Sequence, residues 1–208
     1  SAYQQGEDLH TKTASQMYGI PSDKVDKKMR FNAKSINFGL MYGRGATSLA
    51  AQLGVSTEEA QKLLEKYFST YGGVRDWLAN VAKRAIRLGY SETLLGRKRW
   101  FTVPDKSDPN FRKLIGNVER QAKNTPIQGS SADITKIALV AIYYKIKEEK
   151  LDAYIIHTVH DEIVVEAKDD IADKVREIVE SEMVKSGKML LKKVPVEVDA
   201  KISSVWEH

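Results

Sequence analysis

The feature that most constrains this chain is a change of pattern near residue 152. Before it, one stretch after another reads as helix. "PSDKVDKKMRFNAKSINFGLMY" offers Ser22 and Asp23 as N-caps, has no internal glycine until Gly39, and predicts one long helix ending near Gly43. "STEEAQKLLEKYFSTYGG" opens with Ser56 and Glu59 at capping-box spacing and closes on Gly72 and Gly73. A further helix carrying Trp77, Leu78, Val81, Ala85 and Leu88 should stop at Gly89. "NFRKLIGNVERQAKN" is helical as far as Pro126, which lacks the N–H a helix interior needs, and "IQGSSADITKIALVAIYYKIKEEK" then resumes the helical period. From Ala153 the character differs. "AYIIHTVHDEIVVEA" is two β-branched runs separated by His160 and Asp161, which predicts a hairpin although an Asn-Gly turn is missing. A helix from about Asp170 to Ser186 follows, and "VPVEVDAKI" alternates as a half-buried strand does. Helices first and an antiparallel sheet late make the fold class α+β.

Composition narrows the function classes. The 208 residues suffice for one sizeable domain or two small lobes sharing a core. No run approaches the roughly 18 uninterrupted apolar residues of a membrane span, so no membrane partner is expected. The opening "SAYQQGEDLHTKTA" has neither the basic head nor the apolar stretch of a secretory leader. Cysteine is absent, which excludes disulfides, thiolate metal sites and a cysteine nucleophile. Together these lead us to expect a cytoplasmic, intracellular location. The net charge of +5 is compatible with a nucleic-acid partner and proves nothing alone, because scattered lysines are usually solvated surface.

The chemistry concentrates in "RFNAKSINFGLMYG", where Arg30, Lys34, Phe38 and Tyr42 recur at every fourth position before Gly43. Residues four apart on a helix differ by about 40° in direction, so the four form one stripe that runs roughly 18 Å at 1.5 Å per residue. Two cations at one end suit a polyphosphate, and two rings further along suit a sugar and a base. The same spacing also fits Phe38 and Tyr42 as core residues beside a solvated Arg30 and Lys34.

"RFNAKSINFGLMYG" resembles the Arg-x3-Lys-x7-Tyr-Gly fingers helix of family A DNA polymerases, the group resembling bacterial DNA polymerase I, and "VHDE" at 159–162 resembles that family's palm motif. The order of further stretches agrees. "GEDLHTKTA" resembles the segment whose His approaches the triphosphate, here His10. "TLLGRKRW" resembles a fingers segment with clustered basic residues. "ERQAKNTPIQGSSADITKIA" resembles the palm helices that face primer-template, and "VPVEVDAKISSVWEH" resembles the family's C-terminal end. The similarity covers essentially the whole chain, which it divides into fingers at 1–112 and a partial palm at 113–208.

The resemblance assigns roles. His10, Arg30, Lys34, Phe38 and Tyr42 would bind the dNTP: Arg30 on the outer phosphates, Lys34 on the triphosphate and as proton donor to the departing pyrophosphate, Phe38 on the sugar, Tyr42 beside the template base. A Phe at position 38 implies poor acceptance of sugars without a 3′-hydroxyl. Phe31 departs from the second Arg common in relatives. Arg120, Asn124, Gln128 and His160 would face DNA, His160 at the minor-groove edge of the primer terminus. Asp161 would be a metal ligand in a site holding two Mg²⁺ ions, set against its simpler reading as a turn-forming Asp. Glu162 is either a peripheral member of the catalytic site or a surface charge, since its side chain points away from that of Asp161. His157 reads as a half-buried structural histidine, and Asp133, Glu197 and Asp199 as structural or solvated.

One family element has no counterpart. The palm strand with a pattern like Asp-Tyr-Ser-Gln-Ile-Glu, which carries another catalytic Asp, is not in this sequence, nor is the thumb. The chain is therefore expected to be inactive or nearly so alone and to need an N-terminal fragment or subunit bearing that strand, whether through a split gene, a shortened polypeptide or processing. Three functions follow: part of a template-directed DNA polymerase that extends a primer 3′ end, a non-catalytic nucleotide- and DNA-binding module, or a fragment of a phage-type single-subunit RNA polymerase. "NTPIQGSSAD" and "VHDE" followed by "IVVE" favour the DNA-polymerizing branch.

Overall fold

The computed structural model describes residues 8–41 and 44–206, with every side chain among them except that of Met41. The fold is α+β, mostly helical with two small antiparallel sheets. It comprises two compact units, Ser1–Ile127 and Gln128–His208. That packing boundary falls later than the 112/113 division expected from the family resemblance, because the helix after residue 110 packs with the one that stops before Gly89.

The first unit begins with α1 (Leu9–Tyr18), α2 (Lys27–Met41), α3 (Ala46–Leu53) and α4 (Thr57–Thr70). Their apolar faces meet in one core: Ala14 and Met17 from α1, Ala33, Ile36 and Leu40 from α2, Leu49 and Leu53 from α3, and Leu64 and Tyr67 from α4. Each large aliphatic side chain removed from water there contributes about 1.5–3 kcal/mol. The capping box is present at the start of α4, with Ser56 Oγ accepting from Glu59 N and the Glu59 side chain accepting from Ser56 N. The start of α2 differs from expectation. Ser22 and Asp23 form a separate 3₁₀ turn, Ser22–Lys24, and Asp26 accepts from Met29 N at 2.7 Å as the cap of the helix proper. Three candidate caps within five residues are equivalent in sequence, and packing selects among them.

The unit continues with α5 (Gly72–Leu88), β1 (Tyr90–Glu92), β2 (Lys98–Trp100) and α6 (Phe111–Asn124). Gly89 ends α5 in the left-handed conformation, φ 73°, as its position predicts. Pro126 does not end the helical path. The chain passes through a π-helical turn, Thr125–Gly129, into α7 (Ser130–Glu148). A proline deprives the carbonyl four residues earlier of its N–H donor. Here that carbonyl is Ala122 O, and the buried hydroxyl of Ser91 on β1 donates to it at 2.9 Å.

The second unit packs α7 and α8 (Ala172–Leu190) against one face of a hairpin, β3 (Ala153–Val159) and β4 (Glu162–Ala167), with Ala138, Ile142, Ile146, Ala153 and Val175 at the centre. The register runs from Ala153 opposite Ala167 to Val159 opposite Glu162, with an irregularity between Ile155 and His157. The strand expected in "VPVEVDAKI" does not form. Val196, Val198 and Ala200 are half-buried and alternate with exposed Glu197, Asp199 and Lys201, so the pattern survives, but among the described residues no ladder pairs it. Alternation records a buried side of the backbone, whereas a strand needs a hydrogen-bonding neighbour as well.

That segment is nonetheless fixed to α8. Gly187 is buried, and a Cβ placed on it would stand 2.6 Å from Val196 Cγ1 and 3.1 Å from Cγ2. Gly187→Ala is therefore expected to destabilise the second unit by about 1–3 kcal/mol, the usual range for overpacking. The urea midpoint measures this, and Val196→Ala in the same chain should recover most of the loss.

Candidate functional site

The faces of α2 are sharply divided. Ala33, Ile36 and Leu40 are buried, whereas Arg30, Phe31, Lys34 and Phe38 are exposed. The stripe read from spacing is thus the solvent face of the helix. Phe38 is not a core residue, since 39% of it remains accessible. Lys34 Nζ lies 5.9 Å from the centroid of the Phe38 ring, within cation–π range. Tyr42, the last member of the stripe, falls outside the described residues.

His10 joins this face from another helix, its ring centroid 5.6 Å from that of Phe38. Its placement follows from local chemistry. Asp8 caps α1, accepting from His10 N at 2.9 Å and Thr11 N at 3.4 Å, and so fixes the first turn that carries His10. Asn37 Nδ2 lies 3.1 Å from His10 Nδ1 and 3.4 Å from Thr13 Oγ1. The amide of Asn37 thus pairs with the imidazole and fixes the orientation of its ring, the direction of the bond being set by the His10 tautomer. Burial holds the pKa of His10 below its ordinary value; Arg30 and Lys34 lower it further and Asp8 opposes them. The depressed pKa favours the neutral imidazole, so the fixed positive charge of the cluster comes from Arg30 and Lys34.

Two residues of this cluster were not among the expected ones. Asp8 accepts from Arg30 Nε at 2.6 Å, and the guanidinium holds the Asp8 carboxyl far below the usual carboxylate range. Asn37 orients His10. An Asp just ahead of a helix is readable as a cap, but its pairing with an Arg 22 residues away has no local signature.

Elsewhere in the first unit, Arg120 and Asn124 lie one turn apart on α6. Arg120 is exposed and donates from Nη2 to Asn117 Oδ1 at 3.3 Å. Asn124 Oδ1 is buried and meets no donor among the described residues. Beside them, β2 is wholly exposed and basic: Arg99 Nη2 donates to Gln121 Oε1 of α6 at 2.9 Å, and Lys98 Nζ stands 4.4 Å from the centre of the Tyr90 ring. Trp100, paired with Tyr90, is 68% exposed. Cations interleaved with open rings are what a nucleic-acid surface requires.

The second unit carries Gln128, His160, Asp161 and Glu162, all exposed. His160 and Asp161 are the two loop residues of the β3–β4 hairpin. His160 adopts φ 53° at the first loop position, where two-residue hairpins need a positive φ. Histidine is among the side chains that enter this region most readily, which explains a tight hairpin without Asn-Gly. The turn lifts Asp161 clear of both strands, and Thr158 Oγ1 donates to Glu162 O at 3.0 Å, bracing its base. His157 is exposed rather than half-buried and meets the ring of Trp206 edge-on at 5.4 Å. Asp133 is buried, which agrees with the structural one of its two expected readings. Among the described residues no three His, Asp or Glu side chains gather closely enough to hold a metal ion. Asp161 offers one carboxylate, whose hard oxygens fit Mg²⁺ in kind but not in number.

Compared with known proteins, the chain matches the family model of DNA polymerase family A over residues 1–208. The chain belongs to DNA polymerase family A. Within this family it is 38% identical over 205 residues to DNA polymerase I of Mycobacterium leprae, covering 99% of this chain and 22% of that protein. It is 39% identical over 204 residues to the thermostable DNA polymerase I of Thermus aquaticus, covering 98% of this chain and 24% of that one. The chain therefore spans less than a quarter of the length of these relatives. Among solved structures it resembles the POL domain of Pol1 from M. smegmatis in complex with DNA primer-template and dNTP, with a TM-score of 0.79 and 39% identity, over 89% of this chain and 32% of that chain.

Proposed function

We propose that this family A chain supplies the fingers and part of the palm of a template-directed DNA polymerase, binding a dNTP and primer-template and adding deoxynucleotides to a primer 3′ end. The observation that carries the reading is the solvent face of α2, where Arg30, Lys34 and Phe38 stand exposed in one stripe and His10 joins them from α1. Arg30 and Lys34 grip phosphate oxygens through charge-assisted hydrogen bonds, and His10 adds a ring N–H. Phe38 packs on the sugar, and the family resemblance gives Tyr42 a role beside the template base. Lys34 passes a proton to the leaving pyrophosphate. The solved complex of the M. smegmatis relative with primer-template and dNTP supports both ligands.

Arg120, Asn124, Gln128 and His160 bind primer-template. The orphan Oδ1 of Asn124 supports this, because a rotation of that amide presents an acceptor to an incoming donor. Asp161 would hold Mg²⁺, which when bound neutralises charge on the transferring phosphate; Glu162 sits at the edge of that site. Complete ligation by two ions needs carboxylates beyond these residues, supplied by polypeptide joined to this chain or by a second one.

Primer extension tests the proposal, using the chain alone and with a polypeptide carrying the remaining palm strand and thumb. Template-dependent extension by the mixture, beyond that of either component, is the expected outcome. A stable complex that binds primer-template without extending it would instead identify a binding module, and primer-independent incorporation of ribonucleotides an RNA polymerase.

A further inference from the structure

The cation expected to hold the outer phosphates is already engaged. Arg30 Nε meets Asp8 Oδ2 at 2.6 Å, and both side chains are nearly half exposed, at 46% and 40%. Asp8 is held by more than this pair: its two oxygens also accept from His10 N, Thr11 N and Thr11 Oγ1. The carboxylate is anchored to the start of α1, whereas Arg30 reaches it with a long, flexible side chain. Of the two partners, the guanidinium is the one free to leave.

We propose that Asp8 is a resident anion for Arg30, an internal competitor that the outermost phosphate of a ligand must displace before Arg30 can grip it. This inference rests on the reading of α2 as a triphosphate site. Lys34 stands one turn from Arg30, about 6 Å along the helix axis. A ligand with a single phosphate reaches Lys34 without disturbing the pair. A triphosphate long enough to span both cations must exchange one carboxylate for one phosphate, and that exchange is a fixed penalty on its binding alone. Asp8 thereby weakens the outer-phosphate subsite and speeds its release. It acts as a specificity-determining residue that touches the ligand's counter-ion instead of the ligand.

Asp8→Asn isolates the charge, because Asn caps a helix as well as Asp does; Asp8→Ser, another uncharged cap, repeats the measurement should the first variant fold poorly. Calorimetric titration of the chain with dATP, inorganic tripolyphosphate and dAMP, without divalent ions and at low salt, gives the affinities. Loss of an exposed ion pair of this kind should tighten dATP and tripolyphosphate by about three- to fivefold and dAMP by less than about twofold. In an Arg30→Ala background the same Asp8 change should have almost no effect. Equal tightening of all three ligands, no tightening, or tightening that persists without Arg30 overturns the inference and leaves the triphosphate site intact. Absence of any triphosphate binding that depends on Lys34 removes the site and the inference together.

Discussion

Asp161→Asn is expected to abolish primer extension, by about a thousandfold or more, in a preparation where the complementing palm strand restores activity. Losing a metal-anchoring carboxylate forfeits several kcal/mol of transition-state charge stabilisation, and each 1.4 kcal/mol is tenfold in rate. The substitution is chosen to leave the fold alone. Asp161 is exposed at the second loop position of a two-residue hairpin, and Asn is as well suited to a turn as Asp. Triphosphate binding by the first unit should stay at the wild-type level, because His10, Arg30, Lys34 and Phe38 all belong to it and Asp161 does not. Steady-state extension rates together with calorimetry therefore separate a lost metal ligand from a general loss of structure. Near-normal extension by the variant would return Asp161 to the status of a turn residue.

Sequence made the helical stripe, the capping box and the hairpin legible because each is a local pattern. Four residues at fixed spacing define a face, Ser56 and Glu59 are three apart, and β-branched runs on both sides of His160 and Asp161 leave little but a hairpin. The features that escaped involve partners. Which of Ser22, Asp23 and Asp26 caps α2 depends on how α2 seats on α1 and α3. Whether 194–202 becomes a strand depends on a neighbouring backbone that the described residues do not provide. The continuation through Pro126 depends on a hydroxyl from Ser91, 31 residues from the carbonyl it satisfies. The roles of Asp8 and Asn37 likewise appear only when α1 and α2 lie together. Spacing along α2 could not decide whether Phe38 faced the core or the solvent, and its exposure in the structure did.

Lys34→Ala follows from that exposure and is the second large expected effect. Lys34 is an exposed cation with an open ring 5.9 Å away, beside an Arg already paired with a carboxylate. Unlike Arg30, it has no carboxylate in the described cluster to give up before it meets a phosphate. Hydrogen bonds to charged groups contribute about 1.5–3 kcal/mol, so its removal should lower triphosphate affinity by roughly ten- to 150-fold. A lysine that only binds would change affinity by this factor and leave the rate at saturating dNTP untouched. A lysine that also gives its proton to pyrophosphate would lower that rate as well, and Lys34→Arg, which keeps the charge but holds its proton too firmly to donate it, would then restore affinity without restoring the rate. Single-turnover extension across a dNTP series distinguishes the two. Wild-type affinity in Lys34→Ala would mean that the stripe on α2 does not hold the phosphates.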